Sequence, residues 1–422
     1  MSDANEQANQ GQSAPLGSMT QSNFAGRAND VIVAGALAID VSCNFVPSDD
    51  AVISSQPRFH TSNPASISQN LGGVGHNVAT ALHYMNSSVR LCTSIGDDIA
   101  GSTAIDILAK RGLQTCGVQR LSTGSHTAQY VAVNDAKKDL VLAMADMTIL
   151  QDTDKDFHAS WQCHLDTCKP KWLVVDANWD SGTLQGWLKA AKVSGTKVAY
   201  EPVSATKSQR IFPRDSGYDI DLAAVPGHLI NLATPNTLEL FSIHEAANNA
   251  GAFEREDWWK VINSIGLPAS GSREKLVALT NNALVDQGVP QQSIRLLPFM
   301  PCILTTLGEQ GVLLTQLLQP GDVCLTSPLY APYILCRSTN GNAFVGGVYM
   351  RLFPPAETVP KDKIVSVNGV GDTFLGVIIA GLTKEHPKNI AQLVDVAQKA
   401  SVMTLSSRET VSPQISALIS EL

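Results

Sequence analysis

Short apolar segments alternate with helical segments along most of the chain, and this alternation limits the possible folds more than any other feature of the sequence. The first segment, Val31–Gly35, is fully apolar and ends in small residues, which is typical of a buried parallel strand. The other predicted strands are 89–96, 172–176, 197–201, 229–233 and 302–306. Because strands alternate with helices, we predict an α/β fold with a mostly parallel central sheet that is covered on both faces.

One segment differs from this pattern. Within residues 127–146, two apolar stretches flank a polar turn, which predicts a β-hairpin in a small β-layer outside the main sheet. Residues 238–294 are predicted to be mostly helical and to cover the sheet. Since no long repeat or linker interrupts the chain after residue 30, residues 30–422 are predicted to form one domain. Residues 1–29 are rich in Ser, Gln, Asn, Gly and Ala and are predicted to be a disordered tail.

Charge and cysteine content exclude several classes of protein. The formal net charge is −8, from 30 basic and 38 acidic residues, which argues against non-specific nucleic-acid binding. The sequence contains neither an apolar stretch long enough for a membrane span nor a secretion signal, so we expect a cytoplasmic protein without a membrane partner. The eight cysteines include no Cys-x-x-Cys pair, and the spacing of Cys163, His164 and Cys168 fits no common zinc site. Reduced thiols are therefore expected.

A glycine-containing turn near the C-terminus is the strongest candidate for chemistry. Gly369, Val370, Gly371 and Asp372 precede an apolar run that predicts a buried helix starting near Asp372. The free N–H groups and the dipole of a helix N-terminus bind anions, so Asp372 would lie beside a bound phosphate and could deprotonate an attacking alcohol. The alternative is an ordinary strand-to-helix turn with Asp372 as the N-cap residue. The turn is neither a Walker loop nor a dinucleotide-binding fingerprint.

Three further motifs precede this turn, each at a predicted strand end or helix start. They are Gly72-Gly73-x-Gly75-x-Asn77, Asn236-x-x-Glu239 and Thr306-x-Gly308-x-x-Gly311. Taken singly, the second could be a helix capping box and the third a hairpin turn. In this order and spacing, the four motifs resemble the ribokinase-like (PfkB) family of sugar and nucleoside kinases from about residue 30 to the end of the chain. The resemblance implies a ribokinase-like three-layer α/β/α fold with a small β-sheet lid, built from about residues 38–62 and 125–146.

The resemblance also implies the chemistry of the C-terminal turn. Members of the family transfer the γ-phosphoryl group of ATP to a hydroxymethyl group of a bound sugar. Asp372 aligns with the catalytic base of the family, and the amides of Gly369, Val370 and Gly371 align with its anion hole. The family usually has an acid where Ser366 stands here, and that acid often supports a monovalent-cation site, so a role for K⁺ is left open.

The nucleotide and its metal are assigned by the same resemblance. Asn236 and Glu239 match the motif that organises Mg²⁺ and its waters, with Glu239 as the metal-site residue. Thr306, Gly308 and Gly311 match the segment that approaches the phosphates of ATP. Both assignments depend on the family, since each motif also has a purely local interpretation.

The sugar-binding positions of the family correspond to Asp40, Gly72, Gly73 and Asn77. Short side chains and glycines would let the hydroxyl groups of a polyol reach backbone and carboxylate acceptors. Asp40 follows the first predicted strand and could equally be a turn residue. Asp146, on the predicted lid, is an additional candidate for a ribose contact.

Several segments resemble one branch of the family, the pseudouridine kinases. These segments are 70–77, 200–204 with Lys207, 365–369, and 404–407 with 411–413. The branch implies the reaction of ATP with pseudouridine to give pseudouridine 5′-phosphate and ADP. His76 stands where arginine is common in this branch, and Glu201-Pro202 could serve binding or simply end a strand.

The same resemblance suggests partners, and alternatives remain open. A homodimer formed through the lid edge is expected, because exposed sheet edges invite strand pairing. A pseudouridine-5′-phosphate glycosidase is the expected functional partner. Because residues 1–29 are too few for a second catalytic domain, it is expected either to be separate or to have been removed from this sequence. The alternatives are another sugar or nucleoside kinase, acting on ribose or adenosine, and a non-catalytic scaffold. Retention of Asp372 and of the anion-hole glycines argues against a scaffold.

Overall fold

The predicted strands are present and lie in two sheets. The computed structural model describes residues 29–47, 56–121, 124–151, 155–213, 222–267 and 270–422. Apart from Asn29, the predicted tail lies outside these residues, as does part of the first predicted lid segment. The strands are β1 (Val31–Ala34), β2 (Ala38–Phe45), β3 (Ala65–Gly72), β4 (Val89–Gly96), β5 (Val118–Leu121), β6 (Gln129–Asn134), β7 (Leu140–Asp146), β8 (Trp172–Asp176), β9 (Lys197–Glu201), β10 (Leu232–Ala233), β11 (Cys302–Thr306), β12 (Val312–Leu318), β13 (Ile334–Arg337) and β14 (Gly347–Phe353).

Helices connect the strands and cover the larger sheet. The predicted helical segment 238–294 is confirmed, and it consists of several separate helices. In chain order, the helices of the described residues are α1 (Val74–Tyr84), α2 (Ile99–Lys110), α3 (Lys155–Cys168), α4 (Ser181–Ser194), α5 (Ala205–Ser208), α6 (Thr237–Asn249), α7 (Glu256–Ile265), α8 (Ser272–Leu279), α9 (Asn282–Asp286), α10 (Val289–Leu296), α11 (Val323–Thr326), α12 (Val370–Leu382) and α13 (Ile390–Leu405).

The larger sheet has the mostly parallel arrangement that the sequence predicts. Within the described residues it contains ten strands in the order β13-β14-β12-β11-β10-β9-β8-β1-β4-β5. The strands from β5 to β11 are parallel to their neighbours, whereas β12, β14 and β13 add an antiparallel edge. Only Leu232–Ala233 of the predicted strand 229–233 pairs in the sheet.

The residues of β1 show that helices cover both faces of this sheet. Ile32 and Ala34 belong to one buried cluster, which includes residues of α3, α4, α6 and α7. Val31 and Val33 belong to a second cluster, which includes residues of α1, α2, α12 and α13. Because successive residues of a strand point to opposite faces, the sheet separates two apolar layers. The predicted three-layer α/β/α architecture is therefore confirmed.

The smaller sheet, which we call the lid, has the strand order β3-β2-β6-β7. The hairpin predicted within residues 127–146 is confirmed as β6 and β7, which pair antiparallel. Strand β2 joins this hairpin to β3, and β3 extends to Gly72, beyond the predicted limit of residue 62. The end of β3 leads directly into α1, so the lid and the glycines that begin α1 are continuous in the chain.

The position at which α12 begins decides between the two interpretations of the C-terminal turn. The helix starts at Val370, with Gly369 as its N-cap residue in the left-handed region (φ 76°). Asp372 therefore lies in the first helical turn, and the alternative that it is the N-cap is wrong. Gly369 is required at the cap because a Cβ atom there would collide with the carbonyl oxygen of Thr410.

Candidate active site

The carboxyl ends of neighbouring parallel strands place polar side chains at one edge of the larger sheet. Asp176 is the last residue of β8, Glu201 is the last residue of β9, and Asn236 follows β10 as the N-cap of α6. Thr306 ends β11. This edge is where ligands bind in open α/β sheets. It therefore carries the candidate site.

Asp372 and Asn77 meet at this site although they lie far apart in the chain. Asn77 Nδ2 donates a hydrogen bond to Asp372 Oδ2 at 2.8 Å, and both side chains are buried. The contact exists because α1 and α12 pack closely, with Gly376 of α12 against Ala81 of α1. Both side chains lie near the N-terminal ends of their helices, where free N–H groups favour negative charge.

Asp40 approaches the same site from the lid. It lies within β2, paired with Asn70 of β3 and Tyr130 of β6, so the alternative that it is a turn residue is wrong. Gly72 allows this placement, because a Cβ atom on Gly72 would collide with the carboxylate of Asp40. Burial raises the pKa of Asp40 to about 6.

Burial has an even larger effect on Asp372. It raises the pKa of Asp372 to about 7; the hydrogen bond from Asn77 opposes the shift, and the negative charges of Asp176, Asp40 and Glu239 reinforce it. A carboxylate with a pKa near neutrality can accept a proton from an alcohol and release it again. The electrostatics thus suit Asp372 to the role of a general base.

The amides at the start of α12 form a second functional element. Gly369, Val370 and Gly371 are the N-cap residue and the first two helical residues, and helix geometry leaves the N–H groups at these positions without partners within the helix. A Cβ atom on Gly371 would have no atom within 4 Å, so this end of the helix borders open space. Such a helix end fits a phosphate group.

The Asn236-x-x-Glu239 motif forms the capping box that its local interpretation predicts. Asn236 Oδ1 accepts a hydrogen bond from the Glu239 N–H at 2.9 Å, and Glu239 Oε2 accepts one from the Asn236 N–H at 2.8 Å. Glu239 is buried, and burial raises its pKa. The other carboxylate oxygen of Glu239 takes no part in the capping box. A single carboxylate oxygen suits Mg²⁺, which keeps several of its water ligands when it binds to a protein. Among the described residues, no group of three or more His, Cys, Asp or Glu side chains could hold a metal ion.

The turn after β11 lies next to this capping box. The N–H of Thr306 donates to the carbonyl oxygen of Pro235 at 2.9 Å, and Thr306 forms an isolated parallel bridge with Asn236. Gly308 and Gly311 then reverse the chain into β12, as the hairpin interpretation predicts. The two segments predicted to bind the nucleotide are thus neighbours, although the nucleotide role itself stays a prediction.

The structure does not place Asp146 with the other candidates. Asp146 of β7 pairs with Gln129 of β6, which in turn pairs with Ile39 of β2. Asp40 is the residue after Ile39, and successive residues of a strand point to opposite faces, so the carboxylates of Asp40 and Asp146 lie on opposite faces of the lid. The carboxylate of Asp146 accepts hydrogen bonds from the N–H and the hydroxyl of Thr148. The proposed ribose contact of Asp146 has no support from this geometry.

Two further buried carboxylates lie at the site: Asp176, which was not predicted as a site residue, and Glu201, for which a binding role was left open. Asp176 accepts hydrogen bonds from the Ala36 N–H at 2.8 Å and the Asn178 N–H at 2.9 Å. Glu201 accepts one from Thr234 Oγ1 at 2.6 Å, and burial followed by the charges of Asp372 and Glu239 raises its pKa well above the usual range. Each acid ends an apolar run in the sequence, which is the pattern that could have identified it.

Comparisons with known proteins agree with this architecture. Residues 31–214 and 343–417 match the family described as pfkB family carbohydrate kinase. The pseudouridine-metabolizing bifunctional protein of Schizosaccharomyces pombe is 30% identical over 398 residues, which cover 92% of this chain and 48% of that protein. The pseudouridine kinase of Escherichia coli is 25% identical over 156 residues, which cover 37% of this chain and 48% of that protein. The matched regions thus span about half the length of these two relatives.

Solved structures share the fold. The ribokinase of Arabidopsis thaliana, determined in complex with ribose and ATP, has a TM-score of 0.55 with 13% identity, covering 93% of this chain and 98% of that chain. At this level of identity the likeness concerns the fold alone. Within the described residues, none of the helices combines the length and the apolar character that a membrane span requires.

Proposed function

The chain belongs to the pfkB family of carbohydrate kinases, which are phosphotransferases with an alcohol group as acceptor, and we propose that it transfers the γ-phosphoryl group of ATP to the 5′-hydroxyl of pseudouridine. The observation that carries the proposed chemistry is the buried Asp372 carboxylate, whose pKa is raised to about 7 at the start of α12. The substrate is proposed from the similarity to the S. pombe protein, whose name includes pseudouridine metabolism.

In the proposed reaction, Asp372 accepts the proton of the 5′-hydroxyl group as that oxygen attacks the γ-phosphorus. The new oxygen–phosphorus bond forms while the bond to the β–γ bridging oxygen breaks, and ADP leaves with that electron pair. The hydrogen bond from Asn77 holds one oxygen of Asp372 and thereby orients the other. Asp40 and the backbone around Gly72 and Gly73 are proposed to bind the ribose hydroxyls.

Charge stabilisation is assigned to the start of α12. The amides of Gly369, Val370 and Gly371 are proposed to donate hydrogen bonds to the transferring phosphoryl group, as preorganised donors stabilise developing charge. Asn236 and Glu239 are proposed to hold the water shell of Mg²⁺, which when bound neutralises charge on the phosphates of ATP. Thr306, Gly308 and Gly311 are proposed to lie along those phosphates.

A substrate panel tests the proposed function. The purified full chain is mixed with Mg-ATP and, in parallel, with pseudouridine, uridine, adenosine or ribose, and ADP release is measured. We expect turnover with pseudouridine and at least about tenfold lower kcat/KM with uridine, because rejection of uridine requires a polar group that reads the additional ring N–H of pseudouridine. Turnover of ribose or adenosine instead would overturn the substrate assignment and leave the phosphoryl-transfer assignment intact. Replacing K⁺ by Na⁺ in the same assay measures any dependence on the monovalent cation.

The outer face of the lid supports the proposed homodimer. Ile67, Val133 and Leu142 share one row across the lid, on the face opposite to Asp40, and Met144 lies on the same face. Ile67, Leu142 and Met144 are 64%, 45% and 65% exposed. Apolar side chains clustered on one sheet face are typical of a protein–protein interface. We propose that this face, rather than the strand edge alone, meets the lid of a second copy.

Light scattering after size exclusion tests this interface. The wild-type chain is expected to have the mass of a dimer, and Met144→Glu combined with Leu142→Glu is expected to give a monomer, because two charges would be buried at the interface. Val193→Glu is the matched control, since Val193 is 82% exposed near the end of α4, shortly before β9 begins and therefore at the sheet edge opposite the lid. A monomeric wild-type chain would overturn the proposed dimer, and so would a double variant that remains dimeric.

The proposed product also defines a functional partner. Pseudouridine 5′-phosphate contains a carbon–carbon glycosidic bond, so its further breakdown needs a glycosidase. We propose such a glycosidase as the partner of this kinase, in keeping with the word bifunctional in the name of the S. pombe relative, of which the chain matches 48%. A cytoplasmic location stays a prediction.

A further inference from the structure

The imidazole of His76 is buried directly behind Asn77 and has no part in the proposed reaction. His76 lies in the first turn of α1 and is 0% exposed. Its Nδ1 atom is 3.1 Å from Asn77 Oδ1, and its Nε2 atom is 3.3 Å from Thr80 Oγ1. A polar ring without access to water needs hydrogen-bond partners, and these two contacts supply them.

The position of the hydrogen atoms follows from the partners of Asn77. Above pH 7 the Asp372 carboxylate is ionised and only accepts hydrogen bonds, so the amide nitrogen of Asn77 must face it. The amide oxygen of Asn77 then faces His76 Nδ1 and can only accept. His76 must therefore carry its hydrogen atom on Nδ1. Burial lowers the pKa of His76 to about 4, so the ring is neutral and its Nε2 atom carries no hydrogen. The Thr80 hydroxyl group lies 3.3 Å from Nε2 and 2.8 Å from the carbonyl oxygen of His76, and it donates its one hydrogen to the carbonyl oxygen or shares it between these two acceptors.

We infer that His76 is a positioning residue that fixes the amide orientation of Asn77 and, through it, the Asp372 carboxylate. The inference rests on the proposed role of Asp372 and extends it through Asn77 to His76. Without a donor at Nδ1, the amide of Asn77 loses the contact that distinguishes its two orientations. A reversed amide would point its oxygen at the carboxylate and disfavour the ionised form of Asp372.

Two substitutions distinguish the effect of a hydrogen-bond donor at the Nδ1 position from the effect of having any polar side chain at residue 76. His76→Asn places an amide N–H near the position of Nδ1, whereas His76→Gln places one near the position of Nε2. We expect His76→Asn to keep kcat within about threefold of wild type and His76→Gln to lower it about tenfold, the effect of misorienting one hydrogen bond to a charged group. Thr80→Val removes the partner of Nε2 from the same helix and is expected to change kcat less than about twofold.

The pH dependence of kcat separates the proposed role of His76 from a general loss of packing, which would lower kcat without shifting its pH profile. In His76→Gln the acid limb of kcat is expected to move to higher pH by about half a unit, because the reversed amide raises the pKa of Asp372. The charges of Asp40, Asp176, Glu239 and Glu201 also act on Asp372, but these four residues remain unchanged in the variant. An unshifted limb together with wild-type kcat in His76→Gln would overturn the inference.

Nuclear magnetic resonance tests the hydrogen-bond chain without any substrate. In the wild-type chain, long-range proton–nitrogen correlations of the imidazoles report which ring nitrogen of His76 is protonated, and the signal is assigned by its loss in His76→Asn. We expect protonated Nδ1. Protonated Nε2 would overturn the inference whatever the kinetics of the variants. Absence of wild-type turnover on all four substrates would instead count against the proposed function, so the two failures are distinguishable.

Discussion

Replacing Asp372 with Asn is expected to lower kcat for phosphoryl transfer by about 10²-fold or more, the usual contribution of a positioned general base. The substitution keeps the size of the side chain and its contact with Asn77 but removes the group that accepts the proton. Binding of ATP, measured by calorimetry, is expected to persist. The measurement is ADP release at saturating pseudouridine.

The pH dependence of the wild-type enzyme identifies the same group. Because the pKa of Asp372 is raised to about 7, the carboxylate becomes protonated below that pH and can no longer accept a proton. The wild-type kcat is therefore expected to fall about tenfold for each pH unit below 7 and to be flat above it, and the residual activity of Asp372→Asn is expected to lack this limb.

An exposed aspartate provides the control. Asp106 lies on the surface of α2, so Asp106→Asn changes the net charge by the same amount and is expected to leave kcat and its pH profile unchanged. If Asp372→Asn retained wild-type turnover, Asp372 would not be the base. In that case Glu201 or Asp40, whose pKa values are also raised, would be the next candidates.

The sequence predicted the parallel part of the fold because that part depends on local patterns. Apolar runs such as Trp172–Asp176 are short and follow helical segments, and the turn at Gly369 combines glycines with an apolar helix. Of the antiparallel strands, β12 was implied only by the hairpin interpretation of the turn after β11, and β13 and β14 were not anticipated, since pairing between distant segments leaves little trace in either segment. For the same reason Asp40 could be assigned to a turn although it lies in a strand whose partners are remote in the chain.

The residues of the candidate site could likewise be predicted from the sequence only in part. Asp372, Asn77, Asn236 and Glu239 were identified because each belongs to a motif with a fixed spacing, and the structure places them at one sheet edge or at adjacent helix starts. Asp176 and the contacts of His76 were not identified, because a single acid at a strand end and a single buried histidine have no spacing to recognise. Their positions become evident only when the strands are ordered in the sheet.

The second large effect is expected at the cap of α12. Gly369→Ala is expected to lower the unfolding temperature and kcat together, kcat by about tenfold or more. Gly369 has a φ of 76°, where a residue with a Cβ atom is strained by about 1–2 kcal/mol, and the added atom would also collide with the carbonyl oxygen of Thr410. To relieve the collision, the first turn of α12 must move. That movement would displace both the proposed anion-binding amides and Asp372.

Gly371→Ala is the matched control, two residues further along the same helix. A Cβ atom there meets no atom within 4 Å, and Gly371 is not among the glycines with positive φ. Since alanine is favoured over glycine within a helix by about 0.5–1 kcal/mol, this variant is expected to unfold at the same temperature as wild type or above it. Because Gly371 also borders the proposed phosphate site, thermal unfolding is the measurement for this variant. Equal unfolding temperatures for Gly369→Ala and wild type would show that the backbone at Thr410 moves aside at little cost in free energy. In that case the N-cap at Gly369 would not be the feature that holds Asp372 in place.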